Sequence, residues 1–150
     1  MTKVFFGCSM MGGFPNVNQN SLRKVMDSVE ELGYSLVSRH QTNPFFQKDE
    51  VGMTFQQIHD RDYEWLLEGE ICIFEISNPS LGVGAELSTA ISLGKPVLCL
   101  FQRQVSTSVS AFILGKEGSK YVPGIFQCKT YASIEEAKEI IKNFVESQFS

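Results

Sequence analysis

Two carboxylates, set among glycines and hydroxyl side chains, mark where this chain could do chemistry. The segment from Ser77 to Leu87 reads S-N-P-S-L-G-V-G-A-E-L. Ser80 stands beside an expected helix N-terminus, where a hydroxyl and first-turn N–H groups can hold a phosphate. Gly82 and Gly84 permit close approach of a ligand to the backbone. Glu86 is expected in the first turn of that helix, where the dipole favours an ionised carboxylate. The plainer reading, Ser80 as an N-cap and Glu86 as a favourable first-turn charge, is equally open on spacing alone.

A second carboxylate lies upstream, in Ile58-His59-Asp60-Arg61-Asp62-Tyr63-Glu64-Trp65. At helical spacing His59 and Asp62 occupy neighbouring positions, and Asp62 shares its side with apolar Ile58 and Trp65. A carboxylate on a core-facing stripe needs a partner or a task. Its ordinary explanation is solvation at the stripe edge, or a local pair with Arg61 or His59. Further along, Ser106-Thr107-Ser108-Val109-Ser110 offers hydroxyls to a phosphate, with a helix cap as the preferred reading. Near the start, Gly7 to Gly13 (G-C-S-M-M-G-G) lacks the lysine of a P-loop and does not match G-x-G-x-x-G. Gly12 and Gly13 would admit a ligand, although a glycine-rich turn explains them as well.

These residues must be positioned by elements whose pattern alternates. Apolar runs at Lys3–Cys8, Tyr34–Ser38, Ile71–Ile76 and Pro96–Phe101, with a fifth around Ile125–Cys128, read as strands. Between them, helices are expected over Asn18–Leu32, Thr54–Leu67 (with a Thr54/Gln57 capping box), Val83–Leu93 and Val109–Leu114. A last helix runs from a Ser133 cap through Phe149. Strands that alternate with helices imply right-handed crossovers and a parallel sheet. The expectation is one doubly wound α/β domain over residues 1–150, Rossmann-like or flavodoxin-like, with a mainly parallel five-stranded sheet. Ligands then bind beyond the carboxyl ends of the strands. That directs attention to the loops Ser9–Val17, His40–Gly52, Ser77–Gly82 and Gln102–Ser108.

Composition narrows the function classes. The chain has 150 residues, 43% hydrophobic and 20% charged, enough for one domain with a packed core. Its net charge of -4 argues against a nucleic-acid polymer as partner. No apolar run approaches the roughly 20 residues that a membrane span requires. The cysteines, Cys8, Cys72, Cys99 and Cys128, form no C-x-x-C pair, and no histidine stands at metal-finger spacing. Neither a metal nor a cofactor is expected. The opening residues lead straight into a strand without a signal-peptide segment, so the cytoplasm (or the nucleus in a eukaryote) is the expected location.

Taken together, Ile58 to Phe101 resembles the 2′-deoxynucleoside 5′-phosphate N-hydrolases, of the nucleoside 2-deoxyribosyltransferase superfamily. The resemblance is carried by I-H-x-x-D-x-x-W-L and P-S-L-G-V-G-x-E-L. It extends weakly to Gly7–Gly13, to Ser110-Ala111 and over most of the chain. It implies cleavage of the N-glycosidic bond of a nucleoside monophosphate to a free base and a 5-phosphosugar. By this likeness Glu86 matches the nucleophile, and Asp62 the carboxylate that positions the sugar and assists departure of the base. Ser9, Ser80 and Ser110 match phosphate-binding hydroxyls, and His40 a histidine near the base. The family's counterpart of Ser110 reaches across a dimer interface, which implies a homodimer with shared sites.

The chain departs from the family pattern in two places. Met11 replaces an arginine and Phe5 a tyrosine, which bears on the preference for a 5′-phosphate; Lys116, Lys120 or Arg103 are the candidates to replace the missing charge. The carboxylate chemistry is unaffected. By analogy with retaining glycosidases, Glu86 and Asp62 are expected to lie at about 5–5.5 Å. A deoxyribosyltransferase and a catalytically silent nucleotide-binding module are the alternative readings.

Overall fold

The computed structural model describes residues 1–9, 17–37 and 50–149. Strand β1 (Lys3–Cys8) leads to helix α1 (Gln19–Glu31), strand β2 (Ser35–Leu36) and helix α2 (Phe55–Glu68). Strand β3 (Ile71–Glu75), helix α3 (Leu81–Ser92) and strand β4 (Val97–Gln102) follow. A 3₁₀ turn over Arg103–Ser108 and the short helix α4 (Ala111–Leu114) precede strand β5 (Phe126–Tyr131) and helix α5 (Ile134–Ser147). All strand pairs are parallel, in the order β2-β1-β3-β4-β5.

The local signals explain most boundaries. Asn18, Thr54, Ser80 and Ser133 each cap a helix by accepting from a first-turn backbone N–H. Thr54 and Gln57 form the expected reciprocal capping box. Glu135 and Glu136 lie in the first turn of α5, where the dipole favours them.

Two boundaries differ from expectation in ways that matter. Helix α3 begins at Leu81 rather than Val83, because Ser80 already caps it through the N–H of Val83 at 3.2 Å. Glu86 therefore stands in the second turn, and the first turn holds no acidic residue. The dipole effect fades beyond the first turn, so it does less for Glu86 than the spacing suggested. The polar stretch after β4 is not an open loop: Arg103–Ser108 coils into 3₁₀ geometry with Val105 buried.

Side chains alternate across the sheet and divide the core in two. Val4, Phe6, Cys8, Ile71, Ile73, Leu98 and Leu100 face α1 and α5. Phe5, Cys72, Phe74, Val97, Cys99 and Phe126 face α2 and α3. Strands covered on both sides must be apolar throughout, which is why I-C-I-F and V-L-C-L carry no polar residue. Gly7 belongs to this packing rather than to a ligand loop. A Cβ there would lie 2.7 Å from Cδ1 of Phe74.

The strand order sets the position of the site. From β1 the chain steps outward to β2, then returns past β1 to β3 and continues the other way. The crevice between β1 and β3 at their carboxyl ends is thus the topological switch point. Ser9 leaves β1 there, and Ser77–Ser80 leave β3 beside it.

Candidate active site

Helices α2 and α3 pack against each other on one face of the sheet and carry the two carboxylates. Glu86 is half-buried, with Oε2 shielded from solvent. Its charge reaches into the end of the sheet. The Cys8 thiol is pushed up to about 12 by burial first, then by Glu75 and Glu86. Cys72 is likewise raised to about 12 by burial, with Glu86 adding and Lys95 opposing. One Glu86 oxygen is thus enclosed by the protein, near enough to β1 and β3 for its charge to act on both thiols.

Asp62 is half-buried on α2 and is paired with its neighbour. Arg61 donates to Oδ1 from Nε at 3.1 Å and from a terminal nitrogen at 3.0 Å. The same terminal nitrogen reaches Glu50 at 2.5 Å, and the guanidinium lies 4.7 Å from the Trp65 ring centroid. Burial raises the Asp62 pKa above the ordinary aspartate value, and the Arg61 hydrogen bonds and charge oppose that rise. His59 is not the partner. Its ring contacts Asp60 at 2.9 Å on the exposed side of the helix.

The serines gather around the start of α3. A cavity of about 870 Å³ is lined by Ser9, Ser77, Asn78, Ser80, Ser108 and Ser110 among others. That volume suits a small organic ligand. Ser9 is buried and donates weakly to the Pro79 carbonyl at 3.5 Å. Ser80 spends an acceptor on its cap, so the ordinary N-cap reading holds for it and leaves the hydroxyl at the cavity wall. Ser110 occupies the N-cap position of α4 but makes no side-chain cap bond, contrary to the helix-cap expectation.

Gly84 also lines the cavity, and a Cβ there would meet nothing within 4 Å; at Gly82 it would meet only Ser80 Oγ at 3.8 Å. Packing within the described residues does not require glycine at either position. Glu86, two residues from both Gly84 and Ser88, projects from a different side of α3, and neither it nor Asp62 lines this cavity. The described residues thus present a hydroxyl-lined pocket beside the start of α3, with Glu86 on another side of that helix and Asp62 on α2.

Of the candidate cations, Arg103 is committed to Glu136 at 2.6 Å. Lys120 stands over the exposed Tyr121 ring at 5.1 Å. Lys116 lies 4.6 Å from the ring of Phe112, itself a lining residue, and none of the three cations lines the cavity. Phe5 is fully buried against Phe74 at 5.8 Å, so its lack of a hydroxyl concerns the core. Met11, Gly12, Gly13 and His40 lie outside the described residues.

One residue at the ligand end was not singled out from the sequence. Glu75, the last residue of β3, is 1% exposed. It accepts from the Ser77 N–H at 2.6 Å, from Ser77 Oγ at 2.9 Å and from the Tyr131 hydroxyl. Burial raises its pKa, and those three donors oppose the rise. The signal was present: Ile71, Ile73 and Glu75 share one face of a strand whose other inward residues are apolar. Among the described residues no group of His, Cys, Asp or Glu is arranged to hold a metal ion.

No family model matches the chain. Relatives do. The chain is 42% identical to the 5-hydroxymethyl-dUMP N-hydrolase of Mus musculus over 147 residues, covering 96% of this chain and 80% of that protein. It is 33% identical over 143 residues to a Methanosarcina barkeri protein named as a 2′-deoxynucleoside 5′-phosphate N-hydrolase, covering 95% and 84%. Among solved structures, a CMP N-glycosidase of Clostridium botulinum superposes with a TM-score of 0.65 at 17% identity, covering 95% of this chain and 99% of that one. A 2-deoxyribosyltransferase of Bacillus psychrosaccharolyticus superposes with a TM-score of 0.55 at 14% identity, covering 91% and 90%. The two structures share the fold. The sequence identities, sustained across nearly the whole length, show that this chain belongs to the 2′-deoxynucleoside 5′-phosphate N-hydrolase family.

Proposed function

We propose that this chain hydrolyses the N-glycosidic bond of 2′-deoxynucleoside 5′-monophosphates, releasing a free base and 2-deoxyribose 5-phosphate. The observation that carries the reading is the 42% identity to a 5-hydroxymethyl-dUMP N-hydrolase over 96% of the chain. The half-buried Glu86, with one oxygen shielded from solvent, supports it.

The chemistry follows from charge. As the C1′–N bond lengthens, the sugar becomes an oxocarbenium-like cation, which a fixed carboxylate stabilises without reorganisation. An oxygen of Glu86 bonds to C1′ while the bonding electron pair leaves with the base nitrogen. Asp62, whose pKa burial raises, supplies the proton that the departing base needs. Water then adds at C1′, its proton returns to the carboxylate pair, and the ester to Glu86 breaks. Ser9, Ser80 and Ser110 hold the phosphate together with first-turn N–H groups of α3. Gly82 and Gly84, with Gly12, Gly13 and His40, complete the substrate contacts.

The same reading includes a homodimer in which the partner subunit's Ser110 contributes to each site. Leu81 and Phe112, 96% and 80% exposed at the rim of the serine cavity, are the apolar surface such a contact would cover. Sedimentation should give twice the 16.8 kDa chain mass. No helix among the described residues is long and apolar enough to cross a membrane, and the cytoplasm, or the nucleus in a eukaryote, is the proposed location.

The deciding experiment is a panel of nucleosides and nucleoside monophosphates, with 5-hydroxymethyl-dUMP included, scored by chromatography of released base. Release from deoxynucleoside monophosphates supports the proposal, and no release from any of them rejects it. A second base added during turnover separates transfer from hydrolysis. Formation of a new nucleoside or nucleotide would assign the chain as a transferase.

A further inference from the structure

The loop Ser77–Ser80 forms one wall of the serine cavity, and it is fastened from behind on both flanks. On one flank stands the Glu75 carboxylate. It collects the Ser77 N–H, the Ser77 hydroxyl and the Tyr131 hydroxyl, while Ser77 Oγ accepts from the Gln102 N–H at 2.8 Å. Glu75, Gln102 and Tyr131 terminate β3, β4 and β5. The loop is thereby tied to three adjacent strand ends.

On the other flank stands Asn78, 4% exposed. Its Oδ1 accepts from the Val17 N–H at 2.8 Å, and its Nδ2 donates to the Val17 carbonyl at 2.8 Å. Val17 immediately precedes Asn18, the cap of α1.

The residue types fit these tasks and little else. Three donors converge on Glu75, and a carboxylate has acceptor sites for all of them. A glutamine would offer one acceptor oxygen and turn an NH₂ toward a donor. A buried carboxylate is costly relative to apolar packing, so stability alone is a poor reason to keep one. At Asn78 an aspartate would accept from Val17 N–H but oppose its carbonyl. Both side chains act on the α1/α5 side of the sheet, whereas the cavity opens toward α3 and α4. Glu75 touches the loop from behind without lining the cavity, and Asn78, a loop residue at the cavity wall, turns its amide to Val17.

We infer that Glu75 and Asn78 are positioning residues of the 5′-phosphate subsite, holding the Ser77–Ser80 backbone so that Ser80 and the first turn of α3 meet the phosphate. The inference rests on the hydrolase reading above.

The test compares wild type with Glu75→Gln, Asn78→Asp and Tyr131→Phe. The readouts are steady-state kinetics on a deoxynucleoside monophosphate, inhibition by inorganic phosphate and inhibition by the free base. Loss of one buried hydrogen bond corresponds to about tenfold in an affinity. KM and the phosphate inhibition constant should each rise about tenfold, while kcat changes less than about threefold and free-base inhibition is unchanged. Unchanged KM and phosphate inhibition in folded variants would overturn the inference. So would a fall in kcat with phosphate inhibition intact. Circular dichroism checks folding, and Tyr131→Phe, which keeps the Glu75–Ser77 bonds, carries the test if Glu75→Gln does not fold. A wild type that releases no base counts against the hydrolase reading instead. In that event phosphate titration by calorimetry still compares the variants, and equal affinities reject the positioning role.

Discussion

Arg61 holds Asp62 by a single oxygen. Both Nε, at 3.1 Å, and a terminal nitrogen, at 3.0 Å, point at Oδ1. The arginine is itself braced by Glu50 and by the face of Trp65. An aspartate and its helical neighbour thus form one electrostatic unit that reaches back to the segment before α2. Burial drives the Asp62 pKa up and Arg61 restrains it.

That relationship predicts a pH shift. If Asp62 donates the proton to the departing base, activity is lost as pH rises through its pKa. Arg61→Met removes the restraint, raises that pKa further, and moves the descending limb of the kcat/KM profile to higher pH. Glu50→Gln should act in the opposite sense and more weakly, since the Glu50 charge raises the Asp62 pKa. Rate profiles across the acidic and neutral range check both. Identical limbs in wild type and Arg61→Met would remove Asp62 from the proton transfer.

Gly84 separates a fold requirement from a ligand requirement. Its Cβ position is open and its helix would gain from alanine. Gly84→Ala should therefore stabilise the protein by roughly 0.5–1 kcal/mol and raise Tm by about 1–4 °C. Because the new methyl enters the cavity, KM for a nucleoside monophosphate should rise severalfold. A more stable variant with unchanged KM would show that the substrate leaves this space empty.

Glu75 predicts how stability follows pH. Its pKa in the folded chain is raised by burial, so the folded state binds its proton more tightly than the unfolded state does. The contribution is greatest below the ordinary glutamate range and is lost as pH climbs through the raised value. Glu75→Gln should flatten this dependence in urea titrations run from acidic to neutral pH. An unaltered slope would mean that another group sets it.

How much of this was legible in the sequence depended on the distance over which a signal acts. The helix caps at Thr54, Ser80 and Ser133 are contacts within three residues, and each is legible as a local pattern. The buried strands announced themselves by continuous apolar runs. The pattern places the start of α3 two residues late because S-N-P-S-L-G ends in a glycine that looks like a loop residue, although glycine near a helix start forfeits few intrahelical bonds. Asn78 reads as a turn residue in S-N-P-S, and nothing nearby reveals its two bonds to Val17, 61 positions away. The Glu75–Tyr131 bond joins residues 56 apart and is equally silent. At the site, the pairing of Asp62 with Arg61 is among the local alternatives, while the placement of Glu86 away from the serine cavity depends on where α3 begins.

The central claim is that Glu86 is the nucleophile. The direct measurement is release of free base from a deoxynucleoside monophosphate by Glu86→Gln, followed by chromatography beside wild type, with folding checked by circular dichroism. The account predicts a loss of more than about 10³-fold in kcat from a folded protein. Turnover close to that of wild type would contradict it.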